Sequence, residues 1–116
     1  MAALLKLQDE TGMWRQVVDV PGAYREFSAT AMIGFAMAKG ARLGWLDGAV
    51  YRPAAEKAWA AIKTRVSNKA EVIDVCTNTG KQKTLKEYFD RPAILGVDAR
   101  AGAMALLFAT ELMERR

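Results

Sequence analysis

"SATAMIGFAMAK", residues 28–39, decides the fold, because it carries apolar or small residues at nearly every position and no charge before Lys39. A surface helix keeps one polar stripe for water, so a helix without one is buried on most of its sides. Ser28 offers a hydroxyl suited to an N-cap, and Gly40 and Gly44 mark the expected end.

A second such segment, "AGAMALLFAT", lies in a helix expected from about Ala101 to Glu114, where charge returns only at Glu111. The helix between them differs in kind. Pro53 suits its first turn, Ala55, Trp59, Ile62 and Val66 fall on one apolar stripe, and Glu56, Lys57, Lys63 and Arg65 face water. Upstream, residues 2–8 are good helix formers with Gly12 as a stop, and "MWRQVV" (13–18) reads as a short strand-like arm turning at "DVPG". A buried helix, an amphipathic one and another buried one form two concentric layers, as in an α/α toroid. A four-helix bundle is the commoner answer, but it gives each helix a polar face. The expected fold class is all-α.

The 116 residues amount to one domain or a piece of one, with 52% hydrophobic and 26% charged residues, a composition that folds. The net charge of +4 is scattered, and its one cluster, Lys81, Lys83 and Lys86, runs straight into Glu87 and Asp90. That describes a solvated loop, so no nucleic-acid partner is expected. The longest uncharged run, residues 27–38, is far short of the roughly 20 residues that span a bilayer, and "MAALLKLQDE" does not read as a signal peptide. With no histidine and one cysteine, a His-based triad is excluded and zinc ligands are missing, so neither metal nor cofactor is expected. Cys76, behind Val72, Ile73 and Val75, reads as a small buried hydrophobe.

Polar residues collect ahead of both buried helices: Arg25, Glu26, Ser28 and Thr30 before the first, Asp98 and Arg100 before the last. Helix N-termini present unpaired N–H groups and favour anions. The two clusters either line one pocket or simply cap their helices. The turn "TNTGK" (77–81) supplies hydroxyl, amide and backbone donors from Thr77, Asn78, Thr79 and Gly80, with Lys81 as counter-charge, which suits a sugar or a carboxylate. The bland alternative is an ordinary turn.

Four blocks, "ETGMWRQVVD", "REFSATAMIGFAMAKGARLGWLD", "DVCTNTGKQKTLKEYFDRP" and "GVDARAGAMALLFATELM", taken in that order and spacing, resemble the C-terminal part of glycoside hydrolase family 105. These are the unsaturated rhamnogalacturonyl hydrolases, related to family 88. The resemblance implies an (α/α)6 toroid of which residues 1–116 form about the last two helical hairpins. It implies removal of unsaturated uronic acid from pectin-derived oligosaccharides: an aspartic acid protonates the C4=C5 bond, water adds at C5, and the hemiketal collapses to release the neighbouring sugar. Ordinary glycosidases instead flank C1 with paired carboxylates.

In the family, the catalytic aspartates and a sugar-gripping Trp-Arg motif lie earlier than the first block. No catalytic residue is therefore assigned here, and the chain alone is expected to be inactive. The resemblance assigns a pocket wall of Glu26, Ser28 and Thr30, the Thr79-Gly80 turn, Tyr88 and Arg91, to which the turn itself adds Thr77 and Lys81. Arg91 either binds the uronate or ties the long loop to Asp98 or Glu26, and the loop-tying role is preferred. The sequence departs from the family at Ala29, Thr30 and Asn78, and "GVDARAG" (96–102) replaces an Asn-Asp-His-Gly-like stretch. The expected partner is an oligosaccharide in the cytoplasm, with no membrane, and the isolated chain is expected to self-associate or be marginally folded. The competing reading is a small standalone helical interaction module without catalytic activity.

Overall fold

The computed structural model describes residues 1–78 and 80–114. Helices α1 (Ala2–Lys6), α2 (Phe27–Arg42) and α3 (Gly48–Lys63) come first, followed by strand β1 (Val72–Cys76), the short helix α4 (Leu85–Phe89), strand β2 (Ala93–Gly96) and helix α5 (Ala99–Met113). The central element is α2, against which α3, α5 and β1 all pack.

Its buried residues, Phe27, Thr30, Ala31, Gly34, Met37 and Ala41, recur every three or four positions. They meet Ala54, Ala55, Ala58 and Ile62 of α3, three of them alanines, so the two backbones approach closely. From α5, Phe108 is fully buried and stands edge-on to Trp59, ring centres 5.4 Å apart. Burying such a side chain contributes about 1.5–3 kcal/mol.

α2 and α5 run parallel. At their starts, Glu26 accepts the Cys76 amide at 2.9 Å and Arg100 reaches the Thr77 carbonyl at 3.4 Å, so both helices begin beside the end of β1. At their far ends Arg42 meets Glu111 through two bonds of 2.5 and 3.1 Å. This pair is largely buried, and each partner satisfies the charge that the other would otherwise leave stranded.

Several expectations need correction. The chain is not all-α, because β1 and β2 form an antiparallel two-stranded sheet with Ile73 opposite Leu95 and Cys76 opposite Ala93. The β-branched run Val72, Ile73, Val75 suits a pleated surface, and Val72 and Val75 bury against the core. The arm at residues 13–18 is no strand; only an isolated bridge from Arg15 to Arg25 forms. Glu26, not Ser28, caps α2, since the longer carboxylate reaches the amides of Ser28 and Ala29. Gly40 lies inside α2 rather than ending it, and its missing side chain makes room for Leu46. Pro53 sits in the second turn of α3, where the carbonyl it leaves unpaired, that of Ala49, belongs to an exposed residue that water can satisfy. Val66 lies past the end of α3 and is 42% exposed.

The last helix differs from expectation as well. α5 is buried on one side only, at Ala101, Phe108 and Glu111, and its Leu106, Leu107 and Met113 are largely exposed. Among the described residues nothing lies over that second side.

Gly34 marks the crossing of α2 with α5, because a Cβ there would fall 2.5 Å from Phe108 Cζ and 3.3 Å from the Ala58 Cβ. Gly34→Ala gains about 1 kcal/mol of helix propensity. Overpacking costs about 1–3 kcal/mol, and a ring held against Trp59 has little room to retreat. Thermal melting should therefore show a lower Tm for the variant; a raised Tm would mean that the ring moves freely.

Candidate functional site

The segment leading into α2 is held by Asp9. Its carboxylate accepts Arg25 Nε at 2.5 Å and the Thr11 amide at 2.9 Å, and lies 3.5 Å from Arg15 Nη2. Burial pulls the Asp9 carboxyl upward, but the hydrogen bonds from Thr11, Arg25 and Met13 together outweigh it and hold the group below the usual carboxylate range. The Glu26 amide then donates to the Trp14 carbonyl at 2.9 Å, which fixes where α2 begins.

Glu26 is 3% exposed. Its carboxylate accepts the Ser28 amide at 3.1 Å, the Ser28 hydroxyl at 2.8 Å, the Ala29 amide, and the Cys76 amide at 2.9 Å. Thr30, expected on the pocket wall, is fully buried; its hydroxyl donates to the Glu26 carbonyl at 2.7 Å and accepts the Trp14 amide at 3.1 Å. Its side chain serves the core.

Beyond Cys76 the chain turns. The thiol donates to the Asn78 carbonyl at 3.0 Å, and Asn78 Oδ1 accepts both the Gly80 amide at 3.1 Å and the Arg91 guanidinium. Arg91 thus ties to Asn78 within the loop, rather than to Asp98 or Glu26. Thr79 lies outside the described residues. Lys81 is exposed, and the half-buried Tyr88 accepts the Gln82 amide on its hydroxyl at 3.1 Å, bracing the returning chain.

On the other side of the turn, Asp98 caps α5 through the Ala101 amide at 2.8 Å and pairs with Arg100 at 3.0 Å. Arg100 and the Ala101 amide hold the Asp98 carboxyl below its ordinary range. The Arg100 side chain is 55% exposed and points its guanidinium between Asp98 and the Thr77 carbonyl.

Glu26, Ser28, Thr77 and Gly80 thus gather at one rim with Asp98 and Arg100, where the two parallel helices begin. Exposed backbone, amide and guanidinium groups there can bind hydroxyls and carboxylates. Proton transfer is a poorer match, since the best-placed carboxylate, Glu26, is buried and held by four donors from Ser28, Ala29 and Cys76. The cavity of about 400 Å3 beside this rim is an apolar groove, lined by Phe27, Trp59, Ile62, Val66 and Leu106 with Asp98 at its edge. Among the described residues no group of three Cys, Asp or Glu side chains is placed to hold a metal ion.

The sequence offered no signal for Tyr24. Its hydroxyl is buried beside Cys76 without a hydrogen-bond partner of good geometry among the described residues. Burial raises the phenol well above its ordinary range, and Cys76, Glu26 and Asp74 push the same way. Asn78 and Arg100 were visible as polar residues, but their bridging roles depend on contacts distant in sequence.

The model of Glycosyl Hydrolase Family 88 matches residues 1–116. The chain belongs to that family. It is 28% identical over its whole length to the unsaturated rhamnogalacturonyl hydrolase YesR of Bacillus subtilis (strain 168), of which it covers 31%. Its fold matches the crystal structure of a possible member of the GH105 family from Salmonella enterica serovar Paratyphi A with a TM-score of 0.89 and 34% identity, covering 97% of this chain and 29% of that one. A possible GH105 member from Klebsiella pneumoniae gives a TM-score of 0.88 and 33% identity over the same shares. This family 88 chain therefore spans about a third of the length of the relatives it matches, and the resemblance drawn from the four sequence blocks holds.

Asp98 links the rim to pH. A carboxyl depressed by folding adds stability above its unfolded pKa of about 3.9 and loses it as pH falls through the lower folded value. Asp98→Asn keeps an oxygen to cap α5 but does not titrate there. Plotted against pH from about 4 downward, the Tm of the variant should fall less steeply than that of the parent chain. Parallel curves would remove Asp98 from the acid transition.

Proposed function

We propose that the chain forms about the last two hairpins of an (α/α)6 toroid and serves a glycoside hydrolase that removes unsaturated uronic acid from rhamnogalacturonan oligosaccharides. The observation that carries this reading is the shared rim of α2 and α5, polar and turn-lined, in a chain that aligns end to end with an unsaturated rhamnogalacturonyl hydrolase. An acid protonates C4 of the C4=C5 bond, water adds at C5, and the hemiketal opens to release the neighbouring sugar. The acid comes from the two-thirds of the relatives' length that this chain does not span. Residues at the rim, Gly80, Lys81 and Arg100 among them, bind and orient the sugar.

The test is turnover of an unsaturated galacturonyl-rhamnose disaccharide by the protein carrying this chain at the family's full length, followed by loss of the ultraviolet absorbance of the double bond. Cleavage of the saturated disaccharide at a similar rate would overturn the reading. Arg91→Lys keeps the charge but loses the guanidinium N–H that Asn78 Oδ1 accepts, so it should lower Tm and raise KM together. A large rise in KM at unchanged Tm would place Arg91 on the substrate instead.

One observation favours a second reading, a helical interaction module: the open apolar side of α5, where Leu106, Leu107 and Met113 are 57–78% exposed. In either case the isolated chain self-associates. Sedimentation showing a compact monomer at all concentrations would refute this.

A further inference from the structure

We propose that Glu26 is a positioning residue that sets the turn at Thr77, Asn78 and Gly80 through the backbone of Cys76 and does not itself touch substrate. What the turn serves rests on the function proposed above; how it is held does not. Three donors converge on Oε1 of this carboxylate and a fourth on Oε2. At 3% exposure it offers a sugar hydroxyl no open approach.

Helix capping alone does not call for glutamate. Ser, Thr, Asp and Asn are the preferred caps, and their side chains are shorter. The extra methylene supplies reach, because Cys76 is 50 residues away on β1 and its amide has to be met across the gap between strand and helix. From that amide the turn hangs in sequence: the Cys76 thiol on the Asn78 carbonyl, Asn78 Oδ1 on Gly80 and Arg91, and the Thr77 carbonyl under Arg100. A charge-assisted bond at the root of such a series fixes every later member.

Cys76 is the sole cysteine, so alkylation by iodoacetamide reports on this one point. The informative variant is Glu26→Asp, which keeps the charge and can still cap α2 but is one methylene short of Cys76. Glu26→Gln keeps the length and loses the charge. We expect alkylation of Cys76, and amide exchange at Cys76 and Gly80, to be about tenfold faster in Glu26→Asp, with exchange in the middle of α2 unchanged. A wild-type rate in Glu26→Asp with acceleration only in Glu26→Gln would overturn the proposal, since the charge beside the thiol would then be the whole effect. Uniform acceleration across the chain would overturn it too, making Glu26 a support of the fold rather than of the turn. The unsubstituted chain gives a second check: the Cys76 amide should exchange more slowly than that of Gly80, and fast exchange there refutes the tie. No readout involves turnover, so a loosened turn without uronate hydrolysis would count against the proposed function alone.

Discussion

The rest of the architecture depends on the contact between the bare backbone at Gly34 and the ring of Phe108. Phe108 lies flush against α2 only because Gly34 has no side chain and Ala58 on α3 has a short one. Trp59 closes the ring in from its edge. With the two axes held this close and parallel, the first turns of α2 and α5 reach the same rim, and their last turns bring Arg42 to Glu111. Polar chemistry at one end and an internal ion pair at the other both follow from one apolar crossing.

The rim combines loosely and tightly held parts. Glu26 and Thr30 are locked into the interior, whereas Lys81, from a turn braced by Asn78, Gln82 and Tyr88, and Arg100, from the first turn of α5, reach into solvent. A binding surface built this way keeps its donors exposed while their backbone is fixed, which reduces the ordering entropy lost when a ligand arrives.

The sequence revealed the three long helices readily, since periodicity and composition act along the chain. The stripe on α3 was legible because Ala55, Trp59 and Ile62 need only their own helix to be aligned. The strand at Val72–Cys76 was harder to see: five residues carry too few repeats to separate an alternating pattern from an apolar run, and its partner lies beyond a long loop. Glu26 was visible before α2 as one cap candidate beside Ser28, but its tie to Cys76 was not, because that contact exists only once β1 is folded against the helix. Thr30 was misplaced for a similar reason, since sequence places it near the helix start without saying which way it faces. Arg91 had its loop-tying role foreseen but the wrong partner, because Asn78 comes within reach only when the turn closes. The apolar surround of α5 pointed to burial on most sides, whereas only the side bearing Ala101 and Phe108 is buried, because composition shows that a face is apolar without showing what packs on it.

A two-stranded sheet ordinarily leaves both of its outer edges open to further strands. Here the outer edge of β1 is already occupied: the Ile73 amide donates to the Arg65 carbonyl at 3.3 Å, Val66 bridges to Val72, and the Cys76 amide is taken by Glu26. Between them Asp74 bulges outward with φ +62° and pairs with Arg65, putting a charge where a neighbouring strand would have to lie. Only the edge of β2 remains, four residues long and preceded by a proline that has no amide to offer. The sheet can therefore grow in one direction at most, and its short free edge is a poor template for the strand-by-strand stacking that leads to fibrils.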